Sequence, residues 1–237
     1  HLTRYGRDLD GKPGLAEAVK AACVPGVSRI RLGSLEPRVA TEAFVQALSE
    51  CAPVCPQFHL ALQSGSDAVL RRMKRCYNTE QFRQAAARLR TAWPLAAFTT
   101  DVIVGFPGET EEEFEETCSL VEQVGYDSAF TFIYSPRVGT RAADMPDQIP
   151  EEVSSRRIQK LIALQKDVTH KRYANYIGQV HSVLVEESSR RDENQMAGKN
   201  EYNITVNFPG DKSLIGQIVR VKITSAGECT LRGERVE

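Results

Sequence analysis

Residues 98–110 read Phe-Thr-Thr-Asp-Val-Ile-Val-Gly-Phe-Pro-Gly-Glu-Thr, and this stretch decides the fold of the chain. Residues 101–104 are mostly apolar, which suits a strand that is covered on both faces. A turn rich in glycine and proline follows at 105–108 and ends the strand. Thr110 and Glu113 then form the Ser/Thr-x-x-Glu pattern of a capping box, which predicts that a helix begins there.

The turn after this strand is a candidate ligand site. Ligands of α/β proteins bind beyond the carboxyl ends of parallel strands, where backbone amides and the positive end of the next helix face them. An ordinary strand-to-helix turn is the alternative interpretation of the same residues.

Short apolar segments alternate with amphipathic segments up to about residue 136. The predicted strands are 29–36, 58–63, 98–104 and 128–134, and the predicted helices are 15–23, 41–50, 67–75, 79–91 and 111–124. Strands that alternate with helices imply right-handed parallel β-α units, and four units are too few to close an eight-fold barrel. The predicted fold class is α/β, with a partial, open (β/α) barrel.

The pattern changes after residue 150. Residues 151–173 read as one long helix, whereas the rest of the chain has alternating segments with glycine and aspartate turns. Those segments are 179–186, 202–208, 216–224 and 229–233. They predict a small antiparallel β-barrel of about sixty residues. We therefore expect a partial β/α barrel at 1–150, a connecting helix at 151–173 and a small β-barrel at 174–237.

Composition excludes several classes of protein. The chain has 237 residues with 41% hydrophobic and 26% charged residues, an ordinary globular balance. No apolar run approaches the ~20 residues that cross a bilayer, so we expect no membrane partner and a cytoplasmic location. The net charge of −1 predicts no nucleic-acid affinity from bulk charge alone. The chain begins with His1 rather than Met, which suggests an excerpt of a longer protein.

The six cysteines are expected to be reduced thiols, because no secretory signal is visible. Cys51 and Cys55 are separated by three residues, a spacing that raises the question of a metal site. No third cysteine follows at a short interval, and a four-iron cluster needs at least three thiolates held close together. We therefore assign no metal ligand and interpret both residues as helix-end and loop positions.

The ends of the four predicted strands carry a consistent set of polar residues. Hydroxyl and amide groups suit a sugar or an amino group, carboxylates suit an ammonium, and an arginine suits a carboxylate. The set contains no nucleophile–base pair, so no catalytic residue is assigned, and His59 inside a strand is interpreted as a packed or hydrogen-bonded core residue. The candidate cofactor-binding residues are Glu36, Gln63, Ser64, Gly65, Ser66, Asp101, Gly105, Gly108, Glu109, Ser135 and Arg137.

Four segments carry a resemblance to a known family. Residues 62–73 contain Gln-Ser-Gly-Ser followed by Leu-Arg-Arg-Met, and residues 99–117 contain Thr-Asp-Val-Ile-Val-Gly-Phe-Pro-Gly-Glu-Thr. Residues 134–146 contain Tyr-Ser-Pro-Arg-Val-Gly-Thr and Ala-Ala-Asp-Met-Pro. These blocks resemble the signatures of the radical S-adenosylmethionine (SAM) methylthiotransferases, and residues 207–233 resemble their RNA-binding TRAM barrel. The resemblance covers almost the whole chain and implies a radical-SAM-type open barrel.

The resemblance implies an enzyme that transfers a methylthio group to a nucleoside or amino-acid C–H. In that family an iron–sulfur cluster cleaves SAM to a 5′-deoxyadenosyl radical, and a second cluster supplies the sulfur. The implied cofactors are SAM and two [4Fe-4S] clusters, and the implied partners are the tRNA anticodon loop and an electron donor such as flavodoxin or ferredoxin. The C-x3-C-x2-C loop of the family is missing from this chain. We therefore expect a C-terminal portion that is inactive by itself.

The matched positions suggest roles for the candidate residues. Residues 105–109 would line the adenine and methionine of SAM, while residues 63–66 and Glu36 would contact its ribose or amino group. Arg137 would pair with the SAM carboxylate or with substrate, and a surface salt bridge is the alternative. The candidate phosphate contacts on the β-barrel are Arg190, Arg191, Lys199, Lys212, Lys222 and Arg232.

The substrate subgroup is less sharply indicated. Residues 1–6 and 31–37 resemble the subgroup that acts on C2 of threonylcarbamoyladenosine at nucleotide 37 of tRNA, which is the favoured expectation. The tail from Met145 onward looks closer to the isopentenyladenosine subgroup. A ribosomal-protein methylthiotransferase, a non-catalytic RNA-binding remnant and an unrelated β/α-barrel enzyme also stay open at this point.

Overall fold

The computed structural model describes residues 2–6, 8–189, 192 and 194–237. In this part of the chain, strands and helices alternate as the sequence predicts, and short 3-10 turns occur at Leu2–Arg4 and Pro37–Val39. The first elements are α1 (Leu15–Ala22), α2 (Glu42–Ser49), β1 (Gln57–His59), α3 (Asp67–Arg72), α4 (Thr79–Ala92), β2 (Ala97–Val104), α5 (Glu111–Val124), β3 (Ser128–Ile133) and α6 (Glu151–Ala174).

The strands β1, β2 and β3 form a parallel sheet in chain order. Phe58 lies opposite Phe98 across β1 and β2, and Asp101 lies opposite Phe130 across β2 and β3. This register brings the carboxyl ends of the strands to the same edge of the sheet, as parallel β-α units require.

The prediction of a regular strand at 29–36 is wrong. Within the described residues it pairs with the β1 region only through isolated parallel bridges, Ile30 with Val54 and Leu35 with Leu60. Gly33 lies between these bridges, and a glycine inside a strand offers no side chain to pack. The segment still lies beside β1, so its carboxyl end reaches the same edge of the sheet.

The two faces of the sheet differ, which also corrects the expectation that residues 101–104 are covered on both sides. Phe98, Val102 and Val104 are buried beneath the helices. Between them, Asp101 and Ile103 are only half-buried on the opposite face. On β3 that open face carries the exposed rings of Phe130 and Phe132. Strand alternation therefore separates a helix-covered core from an open surface.

The predicted capping box at the start of α5 is confirmed. The Glu113 amide donates to the Thr110 hydroxyl at 3.2 Å, and the Thr110 amide donates to the Glu113 carboxylate at 3.0 Å. Asn78 and Gln81 form the same reciprocal pair at the start of α4. These caps satisfy backbone amides that lack helical partners, so both helix starts are fixed locally.

The C-terminal strands close into a barrel in the order β4-β5-β6-β8-β7. The strands are β4 (Val180–Ser188), β5 (Gln195–Asn200), β6 (Thr205–Pro209), β7 (Ile218–Ala226) and β8 (Thr230–Val236). Strand β5 was missed because Gln-Met-Ala-Gly-Lys-Asn is poor in β-branched residues. The barrel is also not wholly antiparallel, because β6 and β8 pair in parallel to close it.

The barrel is joined to the sheet by more than the helix between them. Arg29 donates to the Lys199 carbonyl at 2.7 Å and to the Ser182 carbonyl at 2.6 Å. Arg31 donates to the Asn200 carbonyl at 3.2 Å. These bonds hold the barrel against the segment beside β1. The predicted domain boundaries near residues 150 and 174 stay a prediction.

Among the described helices, none is both long enough and apolar enough to cross a bilayer.

Gly198 provides a test of the barrel packing. A Cβ at this position would lie 2.2 Å from the Leu184 carbonyl oxygen, a backbone atom of the neighbouring strand. We expect Gly198→Ala to lower the free energy of unfolding by about 1–3 kcal/mol, because β4 and β5 must separate. Urea unfolding followed by circular dichroism measures the change.

Gly33→Ala is the matched control for this substitution. Its Cβ would meet only Leu2 at 3.5 Å, an ordinary van der Waals distance, so its unfolding midpoint should stay near that of the wild type. Equal midpoints for the Gly198→Ala chain and the wild type would contradict the close approach of the two strands.

Candidate functional site

The carboxyl ends of the parallel segments lie along one edge of the sheet, where the sequence predicts the site. Gln63 follows β1 and bridges Val102 of β2. The Tyr134 amide, just after β3, donates to the Val104 carbonyl at 2.9 Å. Leu35, which precedes Glu36, pairs with Leu60. The four predicted clusters are therefore brought to a common edge.

Gln63 has a backbone conformation that residues other than glycine rarely adopt. Its φ is 69°, in the left-handed region, and its side chain is buried. Its amide donates to the Asp101 carbonyl at 2.8 Å, and its carbonyl accepts from the Ile103 amide at 2.9 Å. A non-glycine residue held this way costs about 1–3 kcal/mol, and such residues cluster at functional sites. Its unusual backbone makes Gln63 a candidate for a functional role, and its contact with a cofactor stays a prediction.

The next three residues fasten this turn to α5. The Gly65 amide donates to the Thr117 hydroxyl at 2.9 Å, and the Ser66 amide donates to the Ser64 hydroxyl at 3.2 Å. A Cβ on Gly65 would lie 2.5 Å from the Thr117 Cα, so only glycine fits against the helix. Ser64 and Ser66 are fully buried. Their first role is to shape the turn, and direct contact with a cofactor stays a prediction.

The turn after β2 is fastened in the same way to α6. Gly105 has a φ of 72°, and a Cβ on it would lie 2.3 Å from the Ser154 hydroxyl oxygen. The buried Glu109 carboxylate accepts from the Gly105 amide at 3.1 Å and from Arg157 at 2.8 Å. Arg157 also pairs with Glu111 at 3.0 Å. The predicted contacts of Gly105 and Glu109 with SAM stay predictions.

Burial dominates the electrostatics of this turn. It raises the pKa of Glu109, although the Gly105 amide and Arg157 both favour the charged carboxylate. Gly108, at a φ of 72°, presents its carbonyl to Arg72 at 3.1 Å. Arg72 also pairs with Glu113 at 2.5 Å. Each charged group around the turn thus has a partner of opposite charge, although the Glu111 side chain stays about half exposed.

His59 and Asp101 form a polar pair on the open face of the sheet. The His59 Nε2 atom lies 3.2 Å from the Asp101 carboxylate, and its Nδ1 atom lies 3.1 Å from the Thr99 hydroxyl. The Phe130 ring packs beside the imidazole at 6.3 Å between ring centroids. His59 is hydrogen-bonded, as expected, but it lies on the open face rather than in the core.

Sequence reasoning did not place His59 on the open face of the sheet. The signal that could have found it is strand alternation, because Phe58 is fully buried and its neighbour must face the other way.

The remaining candidates at this edge are less enclosed. Ser135 and Arg137 are exposed, and the Arg137 carbonyl accepts from both the amide and the hydroxyl of Thr140. Glu36 is half-buried at the start of a 3-10 turn. Their contacts with a ligand stay predictions.

The described residues do not fit an iron–sulfur cluster. Among them, no group of three or more His, Cys, Asp or Glu side chains could hold a metal ion. Cys51 and Cys55 lie at the amino end of β1, which is the opposite edge of the sheet from the candidate site. We therefore derive no step of the reaction through a cluster.

A groove on the outside of the barrel holds part of the predicted RNA-binding set. It has a volume of about 990 Å³, and both Lys199 and Arg232 line it. Lys199 donates to the Thr205 hydroxyl at 2.7 Å, and burial lowers its pKa. Lys212 and Lys222 do not line this groove, and Arg190 and Arg191 lie outside the described residues.

Comparison with known families supports the two-part architecture. Residues 5–121 match the model of the radical SAM superfamily, and residues 174–236 match the model of the TRAM domain. The radical SAM enzyme coproporphyrinogen III oxidase from Escherichia coli aligns with a TM-score of 0.50 and 19% identity. That alignment covers 59% of this chain and 32% of the enzyme, and it shows the fold alone. The predicted fold class is confirmed.

Curated relatives match along the whole chain. A tRNA-2-methylthio-N(6)-dimethylallyladenosine synthase from Carboxydothermus hydrogenoformans is 43% identical over 98% of this chain and 53% of its own length. Synthases of the same name from Clostridium botulinum and Symbiobacterium thermophilum are 41% and 44% identical. Each alignment spans 100% of this chain and 53% or 52% of the relative. The chain thus spans about half the length of the curated relatives it matches.

These names overturn one expectation from the sequence. The threonylcarbamoyladenosine subgroup was favoured, and that choice is wrong, because these relatives are named for dimethylallyladenosine. The favoured choice depended on two short segments, 1–6 and 31–37, whereas the similarity extends over the whole chain.

The buried pair of Glu109 and Arg157 can be tested by substitution. We expect Arg157→Met to lower the free energy of unfolding by about 3–5 kcal/mol, because the Glu109 carboxylate is left buried without its partner. The double substitution with Glu109→Gln should recover part of that loss. Urea unfolding followed by Trp93 fluorescence measures both, since Trp93 packs on Phe58 in the same core.

Lys160→Met is the control on the same helix. Lys160 forms an exposed pair with Glu115, so its loss should leave the unfolding midpoint unchanged. Equal destabilisation by Arg157→Met and Lys160→Met would argue against a special role for the buried pair.

Proposed function

We propose, from the premise that the chain belongs to the radical SAM methylthiotransferase family, that its protein adds a methylthio group to N6-dimethylallyladenosine in tRNA. The observation that carries this proposal is similarity at 41–44% identity along the whole chain to synthases of that name. The sheet edge and the adjoining barrel supply the two surfaces that such a reaction needs, one for a small cofactor and one for RNA.

The residues of this chain bind and orient rather than perform proton transfer. SAM, when bound, supplies the reactive group for the chemistry. The strained Gln63 and the fixed turn at 105–109 offer a rigid edge for it, which lowers the entropy lost on binding. Asp101 and His59, beside the exposed Phe130, offer a carboxylate and an imidazole to an ammonium or a ribose hydroxyl.

Other parts of the proposal concern the protein as a whole. Two [4Fe-4S] clusters, an electron donor such as flavodoxin or ferredoxin, and a cytoplasmic location follow from the family resemblance. The described residues hold no ligand set for a cluster, so cluster ligands would have to come from elsewhere in the protein.

We further propose that the barrel groove binds the RNA backbone. Lys199 and Arg232 line the groove together, and cations on one surface favour phosphates. The same groove contains Glu186, Asp192 and Glu228, which repel phosphates. RNA is therefore expected to contact the basic side of the groove only.

A segment exchange tests the proposed activity. The part of the Carboxydothermus synthase that aligns with this chain is replaced by these 237 residues, and the hybrid is expressed in a bacterium that lacks tRNA methylthiolation. We expect methylthiolated dimethylallyladenosine in the digested tRNA, measured by liquid chromatography and mass spectrometry. The unaltered synthase is the positive control.

Two results would contradict the proposed activity. One is a folded, soluble hybrid that makes no methylthiolated nucleoside, and the other is a product on threonylcarbamoyladenosine instead.

The salt dependence of RNA binding tests the barrel groove. Removing one cation that binds a phosphate should reduce the slope of log affinity against log salt by about 1. We expect this reduction for Arg232→Gln with an anticodon stem-loop RNA, measured by fluorescence anisotropy. Lys212→Gln and Lys222→Gln are compared in the same series. If the slope of log affinity against log salt stays normal for Arg232→Gln but falls for Lys222→Gln, the RNA binds another face of the barrel.

A further inference from the structure

A second cavity lies at the strand-end edge of the sheet and shares Phe106 with the predicted cofactor turn at 105–109. Its volume is about 270 Å³. Ile103 on the open face of β2, Phe106 after β2 and Tyr134 after β3 line it, and the last two rings pack edge-on at 5.1 Å. Met73 and Met145 form further walls. The interior of this cavity is therefore mainly apolar.

The rim of the cavity is basic. Lys74, Arg75 and Arg141 line it, and all three side chains are exposed. Within the described part of the chain, none of the three forms an ion pair or a side-chain hydrogen bond. Arg72, which also lines the cavity, is different because Glu113 and the Gly108 carbonyl occupy its guanidinium. Three cations thus remain available to an anionic ligand.

The size of the cavity limits what it can hold. Sites for whole small molecules usually measure about 300–1,000 Å³, so this cavity suits one part of a larger ligand. An apolar interior with a cationic rim suits an apolar group attached to a polyanion. The Tyr134 hydroxyl is buried and has no hydrogen-bond partner among the described residues, so the ligand also needs a polar atom beside the apolar group.

We propose that this cavity receives the N6-dimethylallyl group of the target adenosine, while Lys74, Arg75 and Arg141 bind the phosphates that flank it. The N6–H group would donate to the Tyr134 hydroxyl. This inference rests on the proposed function, because it assumes that the RNA substrate carries this substituent. Ile103 lies two residues beyond Asp101 on the same face of β2, so the cavity adjoins the cofactor side of the edge.

The cavity would also select among adenosines. A branched hydrocarbon buries apolar surface against Ile103, Phe106 and Met145, and each buried methylene contributes about 0.8 kcal/mol. A substituent with hydroxyl and carboxylate groups would instead lose hydration in the apolar interior. The chain should therefore prefer a dimethylallyl loop to both an unmodified and a threonylcarbamoyl loop.

Binding of synthetic anticodon stem-loops tests this without any cluster or turnover. We expect the wild-type chain to bind the dimethylallyladenosine loop about tenfold more tightly than the unmodified loop, measured by fluorescence anisotropy. Met145→Glu places a carboxylate in the cavity and should remove this preference. Ala142→Leu, which fills the cavity with an apolar group, should do the same and guards against misfolding of the first variant.

The rim is tested separately. Lys74→Gln and Arg75→Gln should lower the affinity for both RNA loops by the same factor and reduce the salt dependence of binding. The reason is that each substitution removes a cation that binds phosphate. Arg71→Gln, in α3 just before these two residues and outside the cavity, is the matched control and should change neither value.

Two outcomes would overturn the proposal: equal affinity of the wild type for both loops, or a preference that survives in folded Met145→Glu and Ala142→Leu chains. Either could occur while the segment-exchange hybrid still makes product, so failure of this inference is distinguishable from failure of the proposed function.

Discussion

The contact between α6 and the turn after β2 is the interaction on which the rest of the structure depends. Arg157 and Glu109 form a buried ion pair, and Ser154 packs against Gly105 one turn earlier. Removing two charges from water is costly, and the cost is recovered only when the remaining hydrogen bonds are also made. Here the Gly105 amide and Glu111 complete the set. The turn is therefore held in one conformation.

The same helix is also fastened to the segment that leads into β3. Gln165 donates to the Tyr126 carbonyl at 2.9 Å, Thr169 donates to the Asp127 carbonyl at 3.1 Å, and Arg172 pairs with Asp127 at 3.5 Å. Burial raises the pKa of Asp127, with Arg172 opposing it. Arg29 and Arg31 reach the barrel backbone from the other side. Sheet, helix and barrel are thus linked by polar contacts, which are directional and fix orientation more sharply than apolar packing.

Much of the fold could be predicted because its signals are local. The capping pair Thr110 and Glu113 lies within one turn of helix, so the start of α5 followed from the sequence. The strand at 29–36 and the missed β5 show the limit of this reasoning. A glycine weakens the first, and the second has few residues that favour strands. Closure of the barrel, which pairs β6 with β8 in parallel, depends on contacts between distant segments.

By itself, the sequence determined most of the order of strands and helices and carried the motifs that resemble a known family, because periodicity, helix caps and motifs are properties of neighbouring residues. Only the tertiary structure decided which polar atoms remain for a ligand. Thr117 lies 52 residues from Gly65, and Arg157 lies 48 residues from Glu109, yet these partners occupy the groups that the motifs brought forward. The pair of His59 with Asp101 and the cavity beside Tyr134 likewise depend on contacts between residues that are distant in the sequence. Hydrogen bonds saturate, so the availability of a side chain depends on its neighbours in space.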